Sequence, residues 1–538
     1  MKNIDILDCT LRDGGFVNDW DFGGFIIRDI VSRLDKAKID IIEVGYIDDS
    51  ATYSANRAMY SCTADIDRCL SYVNVDIAML VAIIDYGSCS IERIDDRINS
   101  ILDGIRLTFK KNEIDAAICF SEQIKRKGYK LFLQPVSITS YTETELLELV
   151  QKANSIEPFA FSIVDTYGLM FKEDLKYYFH LINRNLIRTI SIGYHPHNNY
   201  LNAFTNCTEL LRSLDGMPRK IILDVSLRGM GKSAGNAHTE LLANYMNEKY
   251  QTAYEMNQLL EIIDSHIMPI YRHSPWGYSI EYFISASHDC HPDYVKYLIS
   301  QGTLSIESIN NILHSLPSNT KLSYDKTNIE ELYFAYQAQH IDDTTACNYL
   351  GSVIARKPIL IIAPGKSITM YQEQIENRIS AERPYVIAVN FIPDSILVDC
   401  VFVSNAKRYA MLLDAYTQLE EKPPIIATSN IVESTVPIAY FVNLRSLLTV
   451  GDVNLINSTL MLLNMLKRLK ICEPVFIAGF DGFSNDDDSY ASPYMHTRNT
   501  PQKSVELNSL IAKQISQIDQ ELCIEFITPS VYHDLEAD

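Results

Sequence analysis

Eight times within the first 226 residues a short, β-branched run gives way to a longer stretch of a different rhythm. The runs are Ile4–Asp8, Ile41–Tyr46, Asp76–Ile84, Gly104–Thr108, Lys130–Pro135, Ala160–Asp165, Thr189–His195 and Ile221–Ser226. The stretches between them are amphipathic, among them Phe22–Ala37, Ile114–Lys127, Thr142–Asn154 and Phe171–Arg184. In Glu143–Val150 the apolar residues Leu146, Leu147 and Val150 share one helical face. Thr142 has the chemistry of an N-cap, with Glu145 three residues on as its capping-box partner. Eight β–α units in roughly 250 residues is the count of a TIM barrel; an open doubly wound sheet is the structural rival.

The polar residues favour the barrel, which carries its chemistry at the C-terminal ends of its strands. Those ends read Asp8 leading to Arg12 and Asp13, then Glu43, Gln134, Asp165, His195 with His197, and a loop running to Asn236. Reactive side chains gather at one end of nearly every predicted strand.

His195-Pro196-His197 closes the seventh run. In a strand, residues i and i+2 point the same way, so one divalent cation can take both imidazoles; two surface histidines on a loop is the plainer alternative. Asp13 favours the metal. It follows the first strand in Asp8-Cys9-Thr10-Leu11-Arg12-Asp13-Gly14-Gly15. In a closed barrel strand 1 lies beside strand 8, so the first, seventh and eighth strand ends converge. Asn236, in Gly229-Met230-Gly231-Lys232-Ser233-Ala234-Gly235-Asn236, brings an amide oxygen to the same place. Two imidazoles with oxygen ligands suit Mn²⁺ foremost, and also Mg²⁺, Co²⁺ or Zn²⁺, in a catalytic role. No thiolate belongs to the set, which argues against structural zinc. Arg12, beside Asp13, can hold a carboxylate or an enolate oxygen, or form a salt bridge with Glu43, or both.

These runs, together with Ile42-Glu43-Val44-Gly45 and Asp165-Thr166-Tyr167-Gly168, resemble the DRE-TIM metallolyase superfamily over roughly residues 1–300. The likeness is greatest to its 4-hydroxy-2-oxovalerate aldolase branch, whose wording recurs in the 229–236 loop and in Trp276-Gly277-Tyr278-Ser279. The resemblance implies Asp13, His195 and His197 as metal ligands, with Asn236 weaker or water-mediated. It implies that Arg12 stabilises an enolate, supported by Glu43, and that Gln134, Asp165 and Gly231 lie on the substrate side. The implied chemistry is carbon–carbon bond cleavage or formation next to a 2-oxo acid, with an aldehyde as the other fragment. The chain departs from the branch at one point. A histidine that acts on the substrate hydroxyl is expected soon after the Arg-Asp pair, and Gly14-Gly15-Phe16-Val17-Asn18-Asp19-Trp20 has none. Tyr278, His273 and His288 are the candidates to replace it.

The second half reads as a separate unit. Helices are expected over about 266–350, as in Ser305–Leu316 and Ile329–Gln339, with a hinge near Gly351–Pro358. Strand-like runs then recur at Pro358–Ala363, Tyr385–Val389, Cys400–Val403, Ile425–Thr428 and Val475–Phe480. The organisation expected is therefore a barrel over 1–265, a helical extension over 266–350, and a Rossmann-like α/β domain over 356–538. Ala363-Pro364-Gly365-Lys366-Ser367, Asn390, Ser404-Asn405 and Asp481 fall at strand ends of that last domain. Neither GxGxxG nor a full P-loop is present. The order of features loosely resembles sialyltransferase-like and pterin-diphosphokinase-like domains, which implies a nucleotide or nucleotide-sugar ligand; a docking or oligomerisation role is the alternative.

Composition bounds the rest. With 47 basic against 68 acidic residues the net charge is −21, which disfavours nucleic acid and anionic membrane as partners. Eleven scattered cysteines without a CxxC pair read as reduced thiols. No signal-peptide layout opens the chain and no apolar run spans a bilayer, so a cytoplasmic protein is expected, and a homo-oligomer as barrels of this kind often form. The leading reading is a metal-dependent aldolase using a pyruvate-type enolate. The same barrel acting on an acyl-CoA donor in a Claisen reaction comes next. A degenerate barrel presenting the C-terminal domain is the third.

Overall fold

Each β-branched run of the first half is a strand whose every flanking helix presents its apolar stripe inward, and this decides the architecture. In the computed structural model the residues described are 4–213, 218–318, 320–321, 324–337, 341–432, 436–448, 457–484, 490–491, 495 and 501–534. Residues 1–3, and residues 338–339 of the helix expected over Ile329–Gln339, lie outside them; that helix is described as Lys326–Gln337.

The first eight long strands are β1 Ile4–Asp8, β2 Ile41–Ile47, β3 Met79–Asp85, β4 Gly104–Phe109, β5 Lys130–Pro135, β6 Ala160–Asp165, β7 Ser191–Pro196 and β8 Ile221–Val225. All pair in parallel in chain order, and β8 closes on β1 with Ile4 opposite Ile221 and Asp8 opposite Val225. The ring is a TIM barrel. A two-residue strand, Met59–Tyr60, adds to β2 outside it. The barrel is filled, not hollow: Leu7, Ile41, Val81, Phe132, Ala160 and Ile222 meet in its interior. Helices such as Gly24–Lys36, Ile114–Arg126 and Lys172–Asn185 form the outer layer. The expected cap at Thr142 is present, its hydroxyl accepting from the Glu145 N–H while the Glu145 carboxylate accepts from the Thr142 N–H.

The chain parts into two compact units, Met1–Pro292 and Asp293–Asp538. The boundary therefore falls inside the stretch 266–350, not at Gly351–Pro358. Helices up to Ile280–Ser287 go with the barrel. Those from Ile306–His314 onward go with the second unit, because Ala346, Leu350 and Ile354 of the helix Thr344–Ile354 pack into the core of its sheet.

Among the described residues the second unit holds a seven-stranded, wholly parallel sheet. Its strands are β9 Ile359–Ile362, β10 Tyr385–Val389, β11 Cys400–Val403, β12 Ile425–Thr428, β13 Tyr440–Val442, β14 Val475–Ala478 and β15 Ile524–Phe526. The spatial order is β13-β12-β11-β10-β9-β14-β15. The order reverses between β9 and β14, which makes that crevice the topological switch point. No helix among the described residues is long and apolar enough to cross a membrane.

Candidate metal centre

Three strand ends meet as barrel closure requires. Asp13 ends the single helical turn Thr10–Asp13 that follows β1, and His195 and His197 straddle the end of β7. One ligand atom from each of Asp13, His195 and His197 lies within 4.8 Å of the others, and all three residues are buried. The imidazole rings stand edge to face, 5.0 Å between centroids.

Each imidazole has one nitrogen spoken for. Nδ1 of His195 is 3.0 Å from Oδ2 of Asp224, and Nδ1 of His197 is 3.2 Å from the Lys232 carbonyl oxygen. Both partners are acceptors, so Nδ1 carries the proton in each ring and Nε2 keeps its lone pair for a cation. Burial pushes the His197 pKa down to about 4, so the ring is neutral at ordinary pH. Burial would push the Asp13 carboxyl up, but Arg12, then His197 and His195, outweigh it and hold it well below the usual range. The protonation states are those a metal needs.

Asn236 completes the case for a cation. Its Nδ2 donates to Asp13 Oδ2 at 2.7 Å, and its buried Oδ1 has no hydrogen-bond partner among the described residues. A buried amide oxygen left unpaired is costly, and a divalent ion beside Asp13 would satisfy it. The loop that carries Asn236 is tightly seated. A Cβ on Gly231 would stand 2.5 Å from Asp13 Oδ2 and 2.8 Å from Asn236 Nδ2, so only glycine leaves both side chains in place.

Beneath the centre runs an unbroken chain of alternating charge. Arg12 Nη1 is 2.5 Å from Asp13 Oδ1, and its Nε donates to Glu43 Oε2 at 2.7 Å. The other Glu43 oxygen is 2.9 Å from Arg106 Nη1, and Arg106 Nη2 pairs with Asp224, which returns to His195. Arg106, Asp224 and Glu43 are almost wholly buried. Arg12, Glu43 and Arg106 each lie between two opposite charges, and Asp13 and Asp224 end the chain with one guanidinium apiece, the pairing that keeping ions in a barrel interior requires. Arg106 and Asp224 escaped the sequence reading. Their signal was a lone charge inside the otherwise apolar runs Gly104–Phe109 and Ile221–Val225.

The remaining candidates fall in three places. Gln134 is buried between Ser162 and Arg106; turned toward the guanidinium, its amide oxygen accepts from Nη2 at 3.0 Å. Asp165 is buried with its oxygens accepting from the Leu169 and Met170 N–H groups at 2.9 and 3.2 Å, so it shapes the loop after β6. Tyr278 is 56% exposed, two residues after Trp276, whose indole N–H donates to the Arg228 carbonyl and so ties this segment to the 229–236 loop. His273 is exposed and His288 half-buried.

In the second unit a cavity of about 190 Å³ opens at the switch point. Gly365 after β9, Asn390 after β10 and Gly479 and Asp481 after β14 line it, with Tyr490 and Tyr532. Asp481 accepts from the Ser367 N–H at 2.9 Å, fixing the loop after β9.

Residues 3–265 match the HMGL-like family model. An oxaloacetate decarboxylase from Mycobacterium tuberculosis is 26% identical over 277 residues, covering 51% of this chain and 79% of that protein. The 4-hydroxy-2-oxovalerate aldolase 4 of Rhodococcus opacus is 26% identical over 284 residues, covering 50% of this chain and 76% of that one. Among solved structures, the N-terminal domain of a Bacteroides vulgatus protein designated an aldolase is 24% identical, with a TM-score of 0.49 over 57% of this chain and 99% of that domain.

Proposed function

From the premise that residues 3–265 are an HMGL-like domain, we propose that this chain is a divalent-metal carbon–carbon lyase acting beside the carbonyl of a 2-oxo acid. Mn²⁺ is the ion proposed and a pyruvate-type enolate the shared fragment. The observation that carries the reading is the convergence of Asp13, His195 and His197 within 4.8 Å, next to the unpaired Asn236 oxygen. A cation held there supplies Lewis-acid polarisation of the 2-oxo-acid carbonyl.

The chain's own residues do the rest. Arg12 is clamped by Glu43 and Asp13 through Nε and Nη1, which leaves Nη2 to donate to the developing enolate oxygen. Glu43 acts by fixing that guanidinium, and is itself held from the other side by Arg106. Gln134 and Asp165 serve as supports for the Arg106 network and the loop after β6, and Gly231 as the close-packed floor beneath the substrate. Tyr278, exposed beside the loop, stands ready to touch the outer fragment.

Pyruvate C3 proton–deuterium exchange, followed by NMR with Mn²⁺, Mg²⁺ or Co²⁺, tests the reading. Metal-dependent exchange that disappears in His195→Ala is the expected outcome. Silence despite bound metal would move the assignment to an acyl-CoA donor.

A second reading belongs to the second unit: its switch-point cavity takes a nucleotide or nucleotide sugar, with the tyrosines against the base. Titration of the full chain with ADP, UDP and CDP should give saturable binding that Asn390→Ala weakens; no heat with any of them leaves this unit a docking domain.

A further inference from the structure

Cleaving a 4-hydroxy-2-oxo acid requires a group that takes the hydroxyl proton. Phe16, 46% exposed, occupies the stretch where the sequence lacks a histidine, and it cannot do this. Asp85 is placed to do it. It is the last residue of β3, and it pairs with Thr108 of β4, which pairs in turn with Gln134 of β5. Val81, four residues earlier, belongs to the packed barrel interior, so the two-residue period turns Asp85 inward as well. The five residues before it are buried and Asp85 itself is exposed, so the strand leaves the packed interior at this residue.

Its surroundings link it to the metal centre. The Tyr46 hydroxyl of β2 favours the ionised carboxylate. The Tyr46 ring lies 5.9 Å from that of Trp20, whose indole N–H donates to the Arg12 carbonyl at 2.8 Å. The charges that bear on Asp85 are Arg12, Lys232 and Lys110, with Asp48 and Ser88 acting on Tyr46. The protein around it raises the carboxyl above its ordinary range, against the Tyr46 hydroxyl and the three cations. A more basic carboxylate is a better proton acceptor.

We propose that Asp85, at the mouth end of β3, is the acid–base group for the substrate hydroxyl. In cleavage it takes the hydroxyl proton as the carbon–carbon bond breaks; the bond's electron pair leaves with the 2-oxo-acid fragment as an enolate, and an aldehyde forms. In condensation the same proton returns to the new alkoxide. This rests on the lyase reading above.

Two reactions at one centre separate the two claims. Oxaloacetate decarboxylation breaks a bond beside the same carbonyl but has no hydroxyl to deprotonate. Condensation of pyruvate with aldehydes of two to four carbons needs the hydroxyl acid–base group. With Mn²⁺-loaded full chain, Asp85→Asn is expected to lower aldol kcat by 100-fold or more, and decarboxylation by less than tenfold. Tyr46→Phe keeps the ring against Trp20 but removes the hydroxyl that favours the ionised carboxylate, so the acid limb of aldol kcat/KM should move to higher pH. Equal losses in both reactions, or aldol turnover within threefold of wild type, would overturn the role of Asp85. Wild type that decarboxylates but condenses no aldehyde would overturn it too. Wild type that does neither sinks the lyase reading, and this proposal with it.

Discussion

Asp224 Oδ2 lies 3.0 Å from Nδ1 of His195, on the side of the ring away from the site. It thereby selects the tautomer that leaves the Nε2 lone pair open to a cation, and as a carboxylate it raises the basicity of that nitrogen. Burial would push the Asp224 carboxyl up, but Arg106 and His195 outweigh it and keep it ionised. Asp224→Asn should weaken Mn²⁺ binding by about 10–100-fold, read by competition with a fluorescent chelator. Unchanged affinity in a folded variant would mean that Asp224 serves only as counter-ion to Arg106.

Arg12 bridges two carboxylates, with Nε on Glu43 and Nη1 on Asp13. A lysine ammonium is a single point of charge and cannot span both while presenting a further donor. Arg12→Lys should therefore retain metal within tenfold but lower kcat by roughly 100-fold or more, the scale of losing one preorganised oxyanion donor. Steady-state kinetics beside a metal titration checks it, and a loss confined to KM would assign Arg12 to ground-state binding.

Gly231→Ala places a methyl 2.5 Å from Asp13 Oδ2, so the loop or the ligand must move. Metal affinity is expected to fall by at least about tenfold, since ligand geometry has little slack. The same titration checks it. Wild-type affinity would show that the loop, not Asp13, gives way.

The barrel was legible because its strands are buried on both faces and read as continuous β-branched runs. The candidate site was legible where its residues stand at strand ends beside turns, as Asp13, His195 and His197 do; Glu43, expected at a strand end, is the third of the seven residues of β2, and reaches Arg12 from inside the barrel. Arg106 and Asp224 were not, because a lone charge in a strand acquires meaning only from the neighbour that tertiary structure supplies. Asp85 lay one residue beyond the run expected to end at Ile84; the strand continues to Asp85 because pairing with Thr108 extends it. In the second unit the five inner strands, β9 to β12 and β14, were anticipated. Tyr440–Val442 and Ile524–Phe526 were not: each is a three-residue strand at a sheet edge, the first apolar but short and the second broken by Glu525.

Asp165 gives the first unit a pH-dependent stability. Burial raises its carboxyl from 3.8 to about 7, against the N–H groups of Leu169 and Met170. A carboxyl with a raised folded-state pKa binds its proton more tightly when folded. Ionisation therefore favours the unfolded chain, and stability falls as pH rises between about 4 and about 7, then levels off. A shift of about three units corresponds to at most about 4 kcal/mol at 1.36 kcal/mol per unit. Asp165→Asn keeps the shape and one acceptor oxygen but does not titrate. The stability of the variant relative to wild type should thus climb by a few kcal/mol over that window, whatever its offset at pH 4. Both tryptophans, Trp20 and Trp276, lie in the first unit, so their fluorescence follows its unfolding alone. Urea titrations of both proteins from pH 4.5 to 7.5, with chelator present so that released metal contributes nothing, provide the comparison. Parallel pH curves for the two proteins would mean that Asp165 ionises normally in the fold, with the loop N–H groups and not burial governing it.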